Sequence, residues 1–347
     1  MTSVIADTTM NAWTTGRKTK TSSKGWVAGN ACCCTHNGES IDKRGRGGVI
    51  ISTDGGISYA CFNCAFKTGY VPGYPLGYKF RKLLSWMGVE DLEIHRLSIE
   101  ALRVKQDMEM KGLIKPDEKK EELAISFKSY SLPDEAMSFI GLVTFYELKS
   151  ECKYANGFVK AVEYVSHRKI DMRKYDFYWS PVSKYQMSKR VIIPFTWKNE
   201  IIGYSARSFD NSVIPKYQSQ IDDGYVFNVD KQERDWKFVI VAEGVFDALA
   251  VDGVAVLKSD ITQQQINIIE DLDREIIVVP DWNSSGTRLI DVAIENGWSV
   301  SFPVWAETCA DISQAVEKYG RLFVMKTIVD SVERSRLRIM LKRKQFK

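Results

Sequence analysis

Long apolar runs, a strong net charge and a leader-like N-terminus are the features that this sequence lacks. The 347 residues contain no apolar run of about 18, the length that a membrane-spanning helix needs. Residues 1–11 carry no cationic stretch followed by an apolar one, the pattern that marks a secretory signal. The formal net charge of +4 is too small to identify a partner by itself. We therefore expect a cytoplasmic protein with no membrane partner.

The seven cysteines are unevenly distributed, and five of them lie between positions 32 and 64. In a reducing compartment such clustering favours metal over disulfides. Cys33 and His36 are separated by two residues, as are Cys61 and Cys64, which lets a tight turn direct two ligands at one tetrahedral ion. The apolar runs between the pairs flank an Asp-Gly turn and predict a hairpin. We predict a zinc ribbon in which these four residues hold one structural zinc.

Two alternatives to this ligand set stay open from the sequence. Cys32 or Cys34 can replace Cys33 in the first pair, because three cysteines are consecutive there. Metal-free, buried cysteines are the other interpretation, but paired short spacings around a hairpin rarely arise for packing alone.

A basic, glycine-rich stretch contains Arg44 and Arg46 and lies near Tyr59, Phe62 and Phe66 in the predicted ribbon. Cations interleaved with aromatic rings suit single-stranded nucleic acid, whose phosphates meet the cations while its bases stack on the rings. An ordinary solvated loop explains the same residues equally well.

Carboxylates follow two short apolar runs in the last third of the chain. Phe238–Ala242 predicts a strand that ends at Glu243, and the strand at 276–279 is followed by Asp281. Strands that alternate with helices form a mostly parallel sheet, and ligands bind beyond its carboxyl edge. Like charges gathered there call for a cation, and Mg²⁺ with substrate phosphates is the chemistry that uses them. Each carboxylate could instead cap the following helix. Asp247 and Asp311 make that alternative less favourable for the set.

These motifs, in their order, resemble a TOPRIM domain, the metal-binding fold shared by topoisomerases and bacterial-type primases. The resemblance implies that Glu243 acts as an acid/base or metal residue and that Asp281 binds Mg²⁺, with Asp247 and Asp311 completing the catalytic set. Asn283 departs from the pattern, because the family has a second aspartate there. An amide oxygen can still bind Mg²⁺, but it brings no charge, so the number of metals is open at one or more.

Three cations ahead of this region resemble phosphate-handling positions in the RNA polymerase domain of bacterial-type primases. Arg190 precedes an apolar strand, Arg207 follows a Gly-aromatic step, and Lys216 lies in a Pro-Lys-Tyr step. The resemblance implies that they bind template or nucleotide phosphates. Each one alone could be an ordinary surface cation.

The cysteine region likewise resembles the zinc-binding module of phage primases, which recognises a template trinucleotide. Over nearly the whole chain the resemblance is to a stand-alone phage or bacterial-type DNA primase. It implies synthesis of short RNA primers on single-stranded DNA from ribonucleoside triphosphates, in a host cytoplasm if a phage encodes the chain. No Walker motif follows the TOPRIM-like segment, so any replicative helicase would be a separate partner. The rival functions are a TOPRIM-type nuclease and a non-catalytic zinc-ribbon DNA-binding accessory protein.

The predicted fold class is α/β, or α+β over the whole chain, with a zinc ribbon, a basic α/β middle domain and a Rossmann-like domain with a parallel sheet. The predicted boundaries are 1–78 for the ribbon with its first 25 residues loose, 79–130 for a helical linker, 131–235 for the N-terminal part of the polymerase domain, 236–330 for the TOPRIM domain and 331–347 for a basic tail.

Overall fold

A computed structural model gives the fold of residues 3–37, 39–113, 125–149, 154–233, 235–258, 260–282, 286–305 and 309–344. None of the helices in these ranges is long and apolar enough to cross a membrane. The chain divides into two compact units, the first made chiefly of residues up to Ile125 and the second chiefly of Ser126–Leu272 and Ile276–Val332. The α/β class is confirmed.

Helices and strands alternate irregularly along the chain. The helices are α1 (Val4–Thr14), α2 (Tyr78–Trp86), α3 (Asp91–Met110), α4 (Phe139–Leu148), α5 (Asn156–His167), α6 (Val245–Val251), α7 (Gln263–Glu270), α8 (Gly286–Asn296), α9 (Ile312–Tyr319), α10 (Arg321–Asp330) and α11 (Arg336–Arg343). The strands are β1 (Lys20–Thr21), β2 (Val27–Gly29), β3 (Gly47–Ile51), β4 (Ile57–Cys61), β5 (Lys67–Tyr70), β6 (Met137–Ser138), β7 (Tyr178–Trp179), β8 (Arg190–Trp197), β9 (Glu200–Ser208), β10 (Tyr217–Gln220), β11 (Phe238–Ala242), β12 (Val254–Ala255), β13 (Glu275–Val278), β14 (Ser299–Ser301) and β15 (Val332–Glu333).

The first unit contains an antiparallel sheet in the order β1-β2-β3-β4-β5. The predicted hairpin is present as β3 and β4, and Gly55 in its turn has a φ of 87°, which glycine adopts without strain. Trp13 of α1 is fully buried, meets Tyr59 edge-to-face at 5.6 Å and donates its indole N–H to the Val27 carbonyl at 2.8 Å. Helix α1 therefore belongs to the core of this unit, so residues 4–14 are not part of a loose N-terminal segment.

Helices α2 and α3 pack into the same core, although the sequence suggested a linker there. Leu83 and Leu84 of α2 are fully buried, and Leu97 and Ala101 of α3 join them. Their apolar spacing is visible in the sequence, but the surface that they cover is not. Residues 114–124 of the predicted 79–130 linker lie outside the described residues.

The second unit begins with an antiparallel sheet in the order β10-β9-β8-β7-β6. The turn between β8 and β9 falls at Lys198 and Asn199, and both residues have a positive φ, of 54° and 65°. That conformation matches the twist of a two-residue hairpin. Helix α5 packs on this sheet through Phe158, Ala161 and Val165.

The third sheet has the order β12-β11-β13-β14-β15 and is parallel between β11 and β12 and between β13 and β14. The predicted strand at 238–242 has those bounds in the structure. A capping box begins α7, since the Thr262 hydroxyl accepts from the Gln265 N–H while the Gln265 side chain accepts from the Thr262 N–H. The strands within each of these two pairs run in one direction, so the carboxyl ends of each pair share one edge.

Candidate functional site

Four cysteine sulfurs meet at one point in the first unit. Cys33 and Cys34 come from the segment after β2, Cys61 ends β4, and Cys64 follows in the turn before β5. All four sulfurs lie within 4.8 Å of one another, with Sγ–Sγ distances of 3.3 Å for Cys33–Cys64 and 3.6 Å for Cys34–Cys61. Zn–S bonds of ~2.3 Å place tetrahedral sulfurs about 3.8 Å apart. The donor set and its spacing therefore fit a structural zinc.

Amide groups donate hydrogen bonds to three of the four sulfurs. The Asn63 side-chain amide donates to Cys34 Sγ at 3.4 Å, the Asn63 backbone N–H donates to Cys61 Sγ at 3.4 Å, and Asn37 donates to Cys64 Sγ at 3.6 Å. Such donors stabilise thiolates, the form that binds metal. The hydrogen bond from Cys33 lowers the pKa of Cys64 to about 6, although burial opposes the shift.

His36 does not lie with the four sulfurs. A short 3₁₀ turn over Thr35–Asn37 turns its imidazole outward, where it stacks on Trp86 with ring centroids 4.8 Å apart and an interplanar angle of 5°. Cys34 joins Cys33 in the cluster in place of His36. The alternatives left open from the sequence replaced Cys33 and kept His36, so the prediction of His36 as a ligand is wrong. The Cys-Cys-Cys-x-His run offers both Cys34 and His36 as ligands, so only the local backbone conformation decides which of the two side chains points at the other sulfurs.

The basic loop of the ribbon is ordered by Asp42. Its carboxylate accepts backbone N–H groups from Ala31, Arg44 and Arg46 at 2.9, 2.9 and 2.7 Å. The Arg44 side chain is exposed, whereas Arg46 is half-buried and donates to the Asn63 side chain. Of the nearby rings, Phe62 is 87% exposed and Tyr59 is 1% exposed. Phe62 and Arg44 are thus openly available to a ligand, whereas Tyr59 is not.

Carboxylates gather at the carboxyl edge of the parallel sheet in the second unit. Glu243 follows β11, Asp281 follows β13, Asp247 lies in the first turn of α6, and Asp311 precedes α9. The Asp281 backbone N–H donates to Glu243 Oε1 at 3.4 Å, which links the two strand ends. The convergence expected from the strand order is present.

Asp247 is the most buried of these carboxylates, at 7% exposure. Its Oδ1 accepts the backbone N–H of Ser313 at 2.9 Å, which ties α6 to the start of α9. A Cβ at Gly244 would lie 2.5 Å from Asp247 Oδ2, so glycine is required there for the carboxylate to fold back over the turn. Burial, and then the charge of Asp311, raise the pKa of Asp247 to about 7.

The Asp281 carboxylate is likewise repelled by the neighbouring carboxylates. Burial raises its pKa to about 8, and the charges of Asp247, Glu243 and Asp311 add to the shift in that order. A side chain at position 286 would collide with the Asp281 carbonyl, which explains the glycine that begins α8. Three negative charges therefore act on one carboxylate, and a bound cation would relieve that repulsion.

Asp311 serves as the N-cap of α9. Its Oδ1 accepts the Gln314 backbone N–H at 2.8 Å, and the Gln314 side chain donates to Oδ2 at 3.0 Å. The capping alternative is therefore correct for this residue, but a cap uses only part of the acceptor capacity of a carboxylate.

Asn283 lies outside the described residues. Among the residues that are described, the four cysteines are the only group of three or more whose ligand atoms all lie within 4.8 Å of one another. The carboxylates of the acidic edge interact electrostatically without forming such a group.

Cations face the carboxylates from the antiparallel sheet and from α5. Arg168 at the end of α5 donates to Ser313 Oγ at 2.6 Å and lies 3.6 Å from Glu317. Its charge acts on Asp247, lowering the pKa of that carboxyl against the effect of burial. The sequence analysis did not select Arg168, because nothing in the local spacing separates it from Lys169 beside it.

The three cations that were predicted from the sequence differ in accessibility. Lys216 is exposed, and its electrostatic neighbours include Arg207 and Asp311. Arg207 is 7% exposed, donates to the Tyr164 hydroxyl at 2.9 Å and lies 4.5 Å from the centre of the Tyr217 ring. Arg190 is 1% exposed.

A groove of about 1040 Å³ opens beside Arg168. Its walls come from α5, from the turn before β8 and from the end of β9. Lys160, Lys189 and Arg168 supply positive charge, and Glu163, Asp210 and Glu317 supply negative charge. Charges of both signs therefore line the groove, but none of the four carboxylates of the acidic edge does.

Comparison with solved structures finds similar chains among DNA primases. The catalytic domain of the DnaG primase bound to ssDNA aligns over 58% of this chain and 80% of its own, with 16% identity and a TM-score of 0.44. The Aquifex aeolicus primase, with zinc-binding and RNA polymerase domains, aligns over 95% of this chain and 86% of its own, with 17% identity and a TM-score of 0.43. The primase fragment of the bacteriophage T7 primase-helicase aligns over 47% of this chain and 72% of its own, at 17% identity and a TM-score of 0.38.

No protein-family model and no curated protein sequence matches this chain. Identities of 16–17% and TM-scores below 0.5 are too low to assign an activity. Any assignment of function therefore has to rest on the residues of the site.

Proposed function

We propose that this protein is a DNA primase that makes short RNA primers on single-stranded DNA from ribonucleoside triphosphates. One observation carries the proposal. Asp281 lies at the carboxyl edge of a parallel sheet, and burial, together with the charges of three other carboxylates there, raises its pKa. Two cations, the exposed Lys216 and the half-buried Arg168, interact with the Asp311–Ser313 segment of this edge. A site with this division of charge suits a metal-bound triphosphate.

The carboxylates fit Mg²⁺ as a resident cofactor. Their oxygens are its preferred ligands, and their mutual repulsion leaves a deficit of positive charge among them. Asp281 and Asp311 would hold the ion, with Glu243 and the Asn283 amide as further candidates. When bound, Mg²⁺ would bind the triphosphate and offset the charge that develops as pyrophosphate leaves.

The remaining steps belong to side chains of the chain itself. Glu243 would ligate the metal or accept the proton of the attacking 3′ hydroxyl. Asp247 holds the start of α9 in place through the Ser313 N–H and so orients the Asp311 side of the site. Lys216 and Arg168 would bind phosphate oxygens, since both lie near the acidic edge.

The ribbon supplies the second part of the proposal. A four-cysteine zinc site would fix the loop that presents Arg44 and Phe62, and these two residues would contact the template by charge and by stacking. The groove beside Arg168 is a path by which a template strand could reach the acidic edge. A separate helicase partner stays a prediction from the resemblance alone.

Primer synthesis by the purified protein tests this proposal. Single-stranded templates that vary three bases are incubated with labelled ribonucleotides and Mg²⁺, using the wild-type protein and Glu243→Gln. We expect short labelled products on a subset of templates and a loss of at least ~10² in rate for the variant, because positioning of charge supplies most of the catalysis in phosphoryl transfer.

Two other outcomes favour the rival functions. Shortened DNA strands with no ribonucleotide incorporation would indicate a nuclease that uses the same carboxylates. Intact single-strand binding without any Mg²⁺ binding would indicate a non-catalytic accessory protein.

A further inference from the structure

Arg190 is a charged side chain enclosed entirely by backbone. It is the first residue of β8, it is 1% exposed, and each of its three guanidinium nitrogens donates to main-chain carbonyls. Nε donates to Tyr185 O at 3.1 Å and Nη2 to Pro215 O at 2.7 Å, while Nη1 donates to Ala206 O at 3.2 Å and to Lys216 O at 3.3 Å. No phosphate can reach a guanidinium held in this way.

The carbonyls that Arg190 binds belong to the segments that carry the candidate phosphate-binding side chains. Ala206 immediately precedes Arg207 in β9, and Lys216 immediately precedes β10. Arg207 and Tyr217 are direct cross-strand partners in the β9–β10 pair, and the Arg207 guanidinium lies over the Tyr217 ring. One guanidinium therefore fixes the backbone behind both Arg207 and Lys216.

The Tyr185 carbonyl lies in a turn with an unfavourable backbone. Tyr185 and Gln186 have φ/ψ values of 54°/20° and 55°/39°, in the left-handed region that residues other than glycine avoid. The Arg190 Nε–H holds this turn against β8. Because a buried charge needs ideal partners, the contacts among these three segments can change little while Arg190 remains in place.

We propose that Arg190 is a positioning residue, which sets Lys216 and Arg207 in place for phosphate contact and does not itself touch nucleic acid or nucleotide. This inference rests on the proposed function, because it assumes that those two cations bind phosphate. It changes the role that the sequence pattern gave to Arg190.

Substitution by lysine separates this role from a phosphate-binding one. A lysine at 190 keeps the charge and would keep a phosphate contact, but an ammonium group cannot reproduce a planar fork that reaches four carbonyls. We expect Arg190→Lys to weaken binding of a labelled single-stranded oligonucleotide by roughly tenfold, as much as Arg190→Met does. Ile193→Ala, a core change in the same strand, controls for general loss of stability and should leave binding within about twofold.

A double-mutant cycle shows whether the effect passes through the neighbouring cations. In a Lys216→Ala, Arg207→Ala background, Arg190→Lys should weaken binding by no more than about twofold, because the side chains that it positions are gone. An Arg190→Lys protein that binds like wild type, or an effect that adds fully in that background, would overturn the inference. If the wild-type protein binds no single-stranded DNA, the proposed function fails instead.

Chemical footprinting of the wild-type protein tests the inference without any variant. Arginine modification by phenylglyoxal should leave Arg190 unmodified with or without single-stranded DNA, whereas acetylation of Lys216 should fall when the DNA is added. Modification of Arg190 in the free protein that disappears on adding DNA would show direct contact and contradict the proposal.

Discussion

At the scale of single residues, the carboxylates of the acidic edge are arranged at a cost to folding. Burial and mutual repulsion raise the pKa of Asp247 to about 7 and that of Asp281 to about 8. A carboxyl whose pKa is raised in the folded state favours folding most when it is protonated. That contribution is complete below about pH 4 and is lost as the pH rises through the raised values.

Asp281→Asn should therefore stabilise the metal-free protein while it removes activity. In EDTA at pH 8 we expect a thermal midpoint at least ~2 °C above wild type, because the variant has no charge for the other carboxylates to repel. At pH 5 the two proteins should melt within about 1 °C of each other, because Asp281 is then protonated. Primer synthesis should fall at least ~10².

The matched control is Asp54→Asn, an exposed carboxylate in the β3–β4 turn. Hydrogen bonds from the Ser52 hydroxyl and the Gly56 N–H lower the pKa of Asp54, so this variant should show no stabilisation that appears only at high pH. A midpoint for Asp281→Asn below that of wild type at pH 8 would mean that the carboxylates do not repel one another.

Residue types were predictable from the sequence, but the directions of the side chains were not. Glu243 and Asp281 could be found because strand ends in a parallel sheet share one edge. Arg190 shows the opposite case, since its charge is visible in the sequence but its enclosure by four carbonyls is not. Arg168 gave no signal because its importance comes from α9, far away in the chain.

At the scale of elements, the zinc site of the ribbon depends on which side chains of residues 32–36 point inward. The Thr35–Asn37 turn directs His36 onto Trp86 and leaves Cys34 with the other sulfurs. The hairpin was predictable because an Asp-Gly turn with flanking apolar strands fixes its own register. The packing of α2 and α3 against it was not, because an amphipathic helix does not specify the surface that it covers.

Zinc content separates the two possible ligand sets. We expect the wild-type protein to hold about one zinc per chain, because four thiolates complete a tetrahedral site. Cys34→Ala should lose most of the metal, whereas His36→Ala should keep it. Atomic absorption measures the zinc content of both purified variants. Loss of zinc from His36→Ala together with retention of zinc in Cys34→Ala would show that His36, and not Cys34, is the ligand.

At the scale of the whole molecule, the zinc site and the acidic edge belong to different compact units of one chain. The proposal gives template contact to the first unit and nucleotide chemistry to the second.

The central claim is that carboxylates from separate parts of the chain form one site for a divalent ion. Mn²⁺, which electron paramagnetic resonance detects and which binds the same oxygen ligands as Mg²⁺, measures this directly. In the presence of a non-hydrolysable nucleoside triphosphate, we expect the wild-type and Asp54→Asn proteins to bind at least about one Mn²⁺ per chain. Asp281→Asn and Asp311→Asn should bind it at least tenfold more weakly, since each loses a charged ligand. Equal Mn²⁺ binding by all four proteins, or none by the wild type, would contradict the account.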